Sequence, residues 1–138
     1  MKSKLFVLVL ILLPTYLVAL DSQPVEIEEL LKTTKSWDGA TLPPYKTGQP
    51  EITILKIKVQ PNTELPWHTH PIINAGVMVR GKLTVITKNG EKHELSAGDA
   101  IVETIGKIHR GINKGPDPAE IIVFYAGISE VPLTVKKE

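Results

Sequence analysis

His68 and His70 stand two residues apart in Pro66-Trp67-His68-Thr69-His70-Pro71. In an extended strand, residues two apart share a face, so this H-x-H places two imidazoles side by side. A sheet offers two nitrogen ligands to one metal ion in this way. A second group of residues, Gly98, Asp99, Thr104, Gly106, His109 and Asn113, adds a third histidine among glycines that mark turns. Read together, the two stretches form one site split over two strands. A lone H-x-H is a weak signal and is usually a pair of surface histidines. Three of the four histidines in the chain fall within these two stretches, which strengthens it. His93, between Lys92 and Glu94, serves as the contrast and reads as a solvated histidine.

Spacing carries the reading further, because the two stretches resemble the paired motifs of the cupin superfamily. The first motif runs glycine, H-x-H, glutamate, glycine, and falls here on Asn62, His68, His70, Asn74 and Gly81. The second runs glycine, proline, glycine, histidine, asparagine, and falls on Gly98, Thr104, Gly106, His109 and Asn113. Asn62 replaces a glycine and Thr104 a proline, both at turn or strand-end positions. Asn74 stands where the resemblance expects a glutamate as the fourth metal ligand. The resemblance spans residues 52 to 127 and implies an all-β fold, the cupin-type double-stranded β-helix or jelly-roll barrel. It implies metal ligands at His68, His70, Asn74 and His109, and dimerisation through an N-terminal arm and a barrel face. It does not select an activity, since one fold hosts many.

The chemistry follows from the ligand types. Three imidazoles suit one divalent transition metal ion, Fe, Mn, Ni, Cu or Zn, without choosing among them. A carboxylate at the fourth position would bring negative charge and a base. Asn74 brings neither. It either binds the metal weakly through its amide oxygen or hydrogen-bonds a ligand histidine or nearby backbone. Glu103 is a candidate replacement, lying in the otherwise apolar run Ala100-Ile101-Val102-Glu103-Thr104. Pointing inward, it would be a metal ligand or a catalytic general base, because a buried carboxylate needs a partner. Pointing outward, it would be solvated. Among neighbours, Trp67 reads as shell or interface, Tyr125 and Met78 as core, and Arg80 as exposed.

The rest of the chain must position these groups. With 138 residues and 42% hydrophobic content, there is material for one core. No cysteine is present, so thiolate sites and disulfides are excluded. Sixteen basic against fifteen acidic residues give no pull towards nucleic acid. Lys2 and Lys4, the apolar run Leu5–Leu13, Pro14 and a small Ala19 form the layout of a signal peptide over residues 1–19. Sixteen residues from Leu5 to Leu20, broken by Pro14, are short of the ~20 a spanning helix needs. The expectation is export to the periplasm or the exterior, with no stable membrane anchor after cleavage.

Residues 20–50 read as an extended arm. Val25-Glu26-Ile27-Glu28 alternates as a strand does, whereas Pro24 with the following glutamates also suits a helix start; Thr33–Trp37 favours the strand. Residues 51–130 are the barrel and residues 131–138 a C-terminal tail. Within the barrel, Leu55, Ile57 and Val59 alternate with Lys56 and Lys58. Asn89-Gly90 predicts a tight hairpin with positive φ at both positions. Two functions remain open. One is a metal-dependent enzyme on a small molecule, of dioxygenase, isomerase or lyase type. The other is a non-catalytic module that binds a small molecule or metal.

Overall fold

In the computed structural model, which describes residues 24–138, strands carry the chain and no helix occurs among the described residues. The strands are β1 (Pro50–Val59), β2 (Thr63–Glu64), β3 (His68–Thr69), β4 (Ile73–Arg80) and β5 (Lys82–Thr87). They continue with β6 (Lys92–Ser96), β7 (Ala100–Val102), β8 (His109–Asn113), β9 (Ala119–Ile128) and β10 (Val135–Lys136). Two antiparallel sheets face each other. One runs β1-β9-β4-β7, and the other runs β10-β3-β8-β5-β6 with β2 also on β8. This is the all-β jelly roll that the resemblance implies.

Period-two alternation sets the core. Ile121, Val123 and Tyr125 of β9, Leu83 and Val85 of β5, and Met78 of β4 all point inward and are buried. On β1, Ile57 and Val59 face in and Lys56 and Lys58 face out, where both lysines reach Glu120 across the ladder. Arg80 is exposed at the end of β4.

Turn chemistry explains the departures from the motif glycines. Asn62 holds φ +53°, a left-handed value that asparagine tolerates better than other side chains, so the replacement keeps the backbone. Gly81 cannot be replaced so easily. Its φ is +75°, and a Cβ there would sit 2.7 Å from the Pro118 carbonyl oxygen.

The structure corrects three expectations. Val25–Glu28 forms neither strand nor helix, because residues 24–33 have no ladder to join. Backbone pairing of the arm begins only at Thr34, whose carbonyl accepts the Leu42 amide. There Lys35 bridges to Thr41, and the Trp37 amide donates to the Val102 carbonyl at 2.9 Å. The hairpin at Asn89-Gly90 is not the two-residue turn. Thr87 pairs with Glu91 around a longer loop, and Gly90 alone has positive φ, at +87°. His93 is not free in solvent: it is half-buried and stacks on Trp37 at 5.5 Å. Within the C-terminal tail, Val135 and Lys136 form β10 against β3. The signal-peptide reading falls on residues 1–19, outside the described residues.

Candidate metal centre

His68 lies on β3 and pairs directly with His109 on β8, so two rings meet across one ladder position. His70 follows at the end of β3, where its carbonyl accepts the Gly106 amide at 2.9 Å. The three ring centroids are 4.6–5.0 Å apart. One nitrogen from each ring can be chosen so that all three lie within 4.8 Å of one another. That group joins the two stretches that the sequence separates.

Backbone carbonyls decide which nitrogens face inward. His68 Nδ1 lies 2.8 Å from the Pro66 oxygen, His70 Nδ1 2.7 Å from the Leu133 oxygen, and His109 Nδ1 2.9 Å from the Lys107 oxygen. A carbonyl only accepts, so each Nδ1 donates and each neutral ring keeps its lone pair on Nε2. Metal-ligating histidines are commonly oriented by such contacts. The buried Nε2 of His109 has no hydrogen-bond partner. An orphaned lone pair beside two others is a donor set that fits a cation, and in its absence it carries a desolvation penalty.

Glu103 enters this group from the loop after β7. Its side chain is 15% exposed, and Oε2 lies 2.7 Å from His70 Nε2 and 3.8 Å from His109 Nε2. At 2.7 Å Glu103 Oε2 and His70 Nε2 face one point, where a cation would engage both groups. Burial pushes the Glu103 carboxyl upward, but the adjacent His109 and His70 imidazoles outweigh it and hold the carboxyl far below the usual range. Burial lowers His109, yet the Glu103 carboxylate 3.8 Å from Nε2 outweighs it and raises the pKa. For His68, burial dominates and the pKa falls. Tyr125 lines the same cavity, 5.6 Å from the His70 ring, and burial with the Glu103 charge pushes its hydroxyl up to about 12. It is therefore a protonated hydroxyl at neutral pH.

The other motif residues divide. Asn74 is buried on β4, with neither its amide oxygen nor its nitrogen hydrogen-bonded, so it does not orient a histidine through a hydrogen bond. Asn113 stands away from the histidines. Its side chain donates to the carbonyls of Val59 and Asp117 and accepts from the Gly115 amide, clamping the β8–β9 loop to β1. Trp67 lies outside the cavity, under the Arg110 guanidinium at 4.4 Å.

Two contacts have no counterpart in the sequence reading. Thr104 is buried at the motif proline position and places its hydroxyl 3.1 Å from His109 Nδ1. Its β-branched polar side chain in an apolar run was the available signal. Leu133 acts through its carbonyl, which no side chain announces.

Residues 55–125 match the family model of the cupin domain, and the chain belongs to the cupin superfamily. Solved structures share the fold at low identity. The DMSP lyase DddQ from Ruegeria pomeroyi is similar with a TM-score of 0.55 and 17% identity, over 62% of this chain and 43% of that one. The polyketide cyclase RemF from Streptomyces resistomycificus is similar with a TM-score of 0.55 and 18% identity, over 66% of this chain and 63% of that one. An oxalate oxidase in complex with glycolate follows at 0.52 and 22%, over 62% and 45%. The chain thus spans less than two thirds of each of these proteins. No curated protein matches the sequence at a significant level.

Proposed function

We propose that this cupin is an exported, metal-dependent enzyme acting on a small molecule, with His68, His70 and His109 as metal ligands. The observation that carries the reading is Glu103. A carboxylate set 2.7 Å from one ligand candidate supplies the charge that Asn74 lacks. When bound, a divalent ion such as Fe, Mn, Ni, Cu or Zn would polarise a substrate oxygen as a Lewis acid.

The chain's own residues do the rest. Glu103 is ionised, so its Oε2 can accept a proton from a substrate atom in the cavity and return it. Tyr125 keeps its proton and offers a hydroxyl donor. The carbonyls of Pro66, Leu133 and Lys107 keep the three rings aimed inward, which limits reorganisation. A dioxygenase, isomerase or lyase reaction is consistent with these groups. A binding module without turnover is the alternative, favoured by an uncharged Asn74 at the motif glutamate.

Elemental analysis and turnover separate them. The wild-type chain is expected to hold about one equivalent of a single transition metal. A His68→Ala, His109→Ala double variant is expected to lose it. Glu103→Gln is expected to keep the fold and lower turnover by about 10²-fold or more. Oxygen uptake is the assay for an iron-loaded protein, and isomerase and lyase panels serve for other metals. Unchanged metal content and unchanged turnover in Glu103→Gln would remove its role.

Two further parts of the proposal rest on sequence and surface. Export rests on the pattern at residues 1–19, and N-terminal sequencing of the mature protein tests it. A homodimer is supported by Ile52 and Ile54 of β1 and Phe124 of β9, which leave apolar side chains exposed on one outer sheet face.

A further inference from the structure

The histidine end opens into a cavity of about 220 Å³ between the two sheets. An apolar cavity of ~150 Å³ accommodates benzene, so this one has room for a ligand on the order of ten heavy atoms. Its walls are Ile57, Leu83, Val85, Ile121 and Val123, drawn from both sheets. The polar groups gather at the histidine end: His68, His70, Glu103 and the Tyr125 hydroxyl. The cationic lining residue is Lys136, and it is exposed.

This distribution of charge selects a ligand. A small dianion could give one carboxylate to the histidine end, but its second carboxylate would lie against aliphatic wall with no buried cation to pair it. Water in the walled part finds few hydrogen-bond partners and is readily displaced by apolar surface. We infer that the cavity takes a neutral, mostly hydrocarbon small molecule that presents a single oxygen to the histidine end. The inference rests on the proposed metal centre for the role of that oxygen, and on the walls alone for the ligand's polarity.

The test compares two probes of similar size, cyclohexanone and succinate, by calorimetry on the metal-analysed full-length mature chain. Cyclohexanone is expected to bind at least about tenfold more tightly than succinate. Ile57→Ser, on an edge strand, is expected to weaken cyclohexanone by about three- to tenfold with the metal content unchanged. Val123→Thr keeps the wall's volume while adding a hydroxyl, and is expected to weaken it in the same direction. Succinate binding as tightly as cyclohexanone, or neither probe binding to metal-loaded protein, overturns the inference while leaving the metal centre standing. Cyclohexanone binding to a chain that holds no metal supports the inference and overturns the metal centre instead.

Discussion

Residues 24–33 and residues 131–138 both flank the barrel and both carry apolar side chains, yet only the second segment is woven into it. Val25 and Ile27 are largely exposed, at 69% and 88%, and residues 24–33 join no ladder. At the other end, Val135 pairs with Thr69, Lys136 with His68, and the Lys137 amide donates to the Trp67 carbonyl at 2.8 Å. The Leu133 carbonyl accepts from His70 at 2.7 Å. The difference lies in what each segment meets. β3 presents a short free edge beside the histidines, and its unpaired amides and carbonyls select an extended partner. The arm lies beside side chains, which do not impose a register. Hydrogen-bond demand, more than apolar content, ties a segment to the site.

The sharpest way to break the comparison is to remove each end in turn. A stop after Glu130 deletes the acceptor of His70 Nδ1 and is expected to weaken metal binding by about 10–100-fold, read by competition with a chelator. Thr134→Val leaves the Leu133 carbonyl in place and removes only the longer 3.3 Å contact of its hydroxyl with His70 Nδ1, so the loss is expected to stay within about threefold. Equal losses from both would show that the segment merely covers the site.

A smaller effect is expected where the arm first docks. Asp38 is buried and accepts from Ser36 and the Ala40 amide, with Lys107 beside it. Burial pushes its carboxyl up, but Lys107, Ser36 and Ala40 together outweigh that and leave it below the usual range. Because the folded-state pKa is depressed, Asp38 stabilises fully above the ordinary aspartate range, and the contribution is lost as pH falls through the lower folded value. Asp38→Ala is expected to destabilise by about 1–2 kcal/mol at neutral pH in denaturant titrations. The gap to wild type should close under strongly acidic conditions. A gap independent of pH would assign the effect to packing alone.

The smallest effect on the barrel belongs to residues 24–33. A chain beginning at Thr34 is expected to unfold within about 0.5 kcal/mol of the longer chain and to keep its metal content. Light scattering is the sensitive readout there. A dimer that persists without the segment would move the contact to the outer face of β1 and β9.

Much of this was legible beforehand. The H-x-H parity, the inward face of Ile57 and Val59, and the turns at Gly81 and Gly98 all follow from local period and backbone preference. Glu103 was legible as an anomaly, a carboxylate in an apolar run. His93 was misread because its neighbours in sequence are charged, whereas its neighbour in space is Trp37. The arm was misread because alternation marks a strand only where an edge stands ready to pair with it.

By itself, then, the sequence determined which residue types share a face and where the chain must turn, because a strand's period and a glycine's φ are local properties. Tertiary structure alone decided that Glu103 meets His70, that Thr104 supports His109, and that a carbonyl from the last eight residues orients a ligand candidate. Every residue carries a carbonyl, so no residue type marks the one that matters. Only the packing of two sheets, with a late strand added to one edge, brings it to the site.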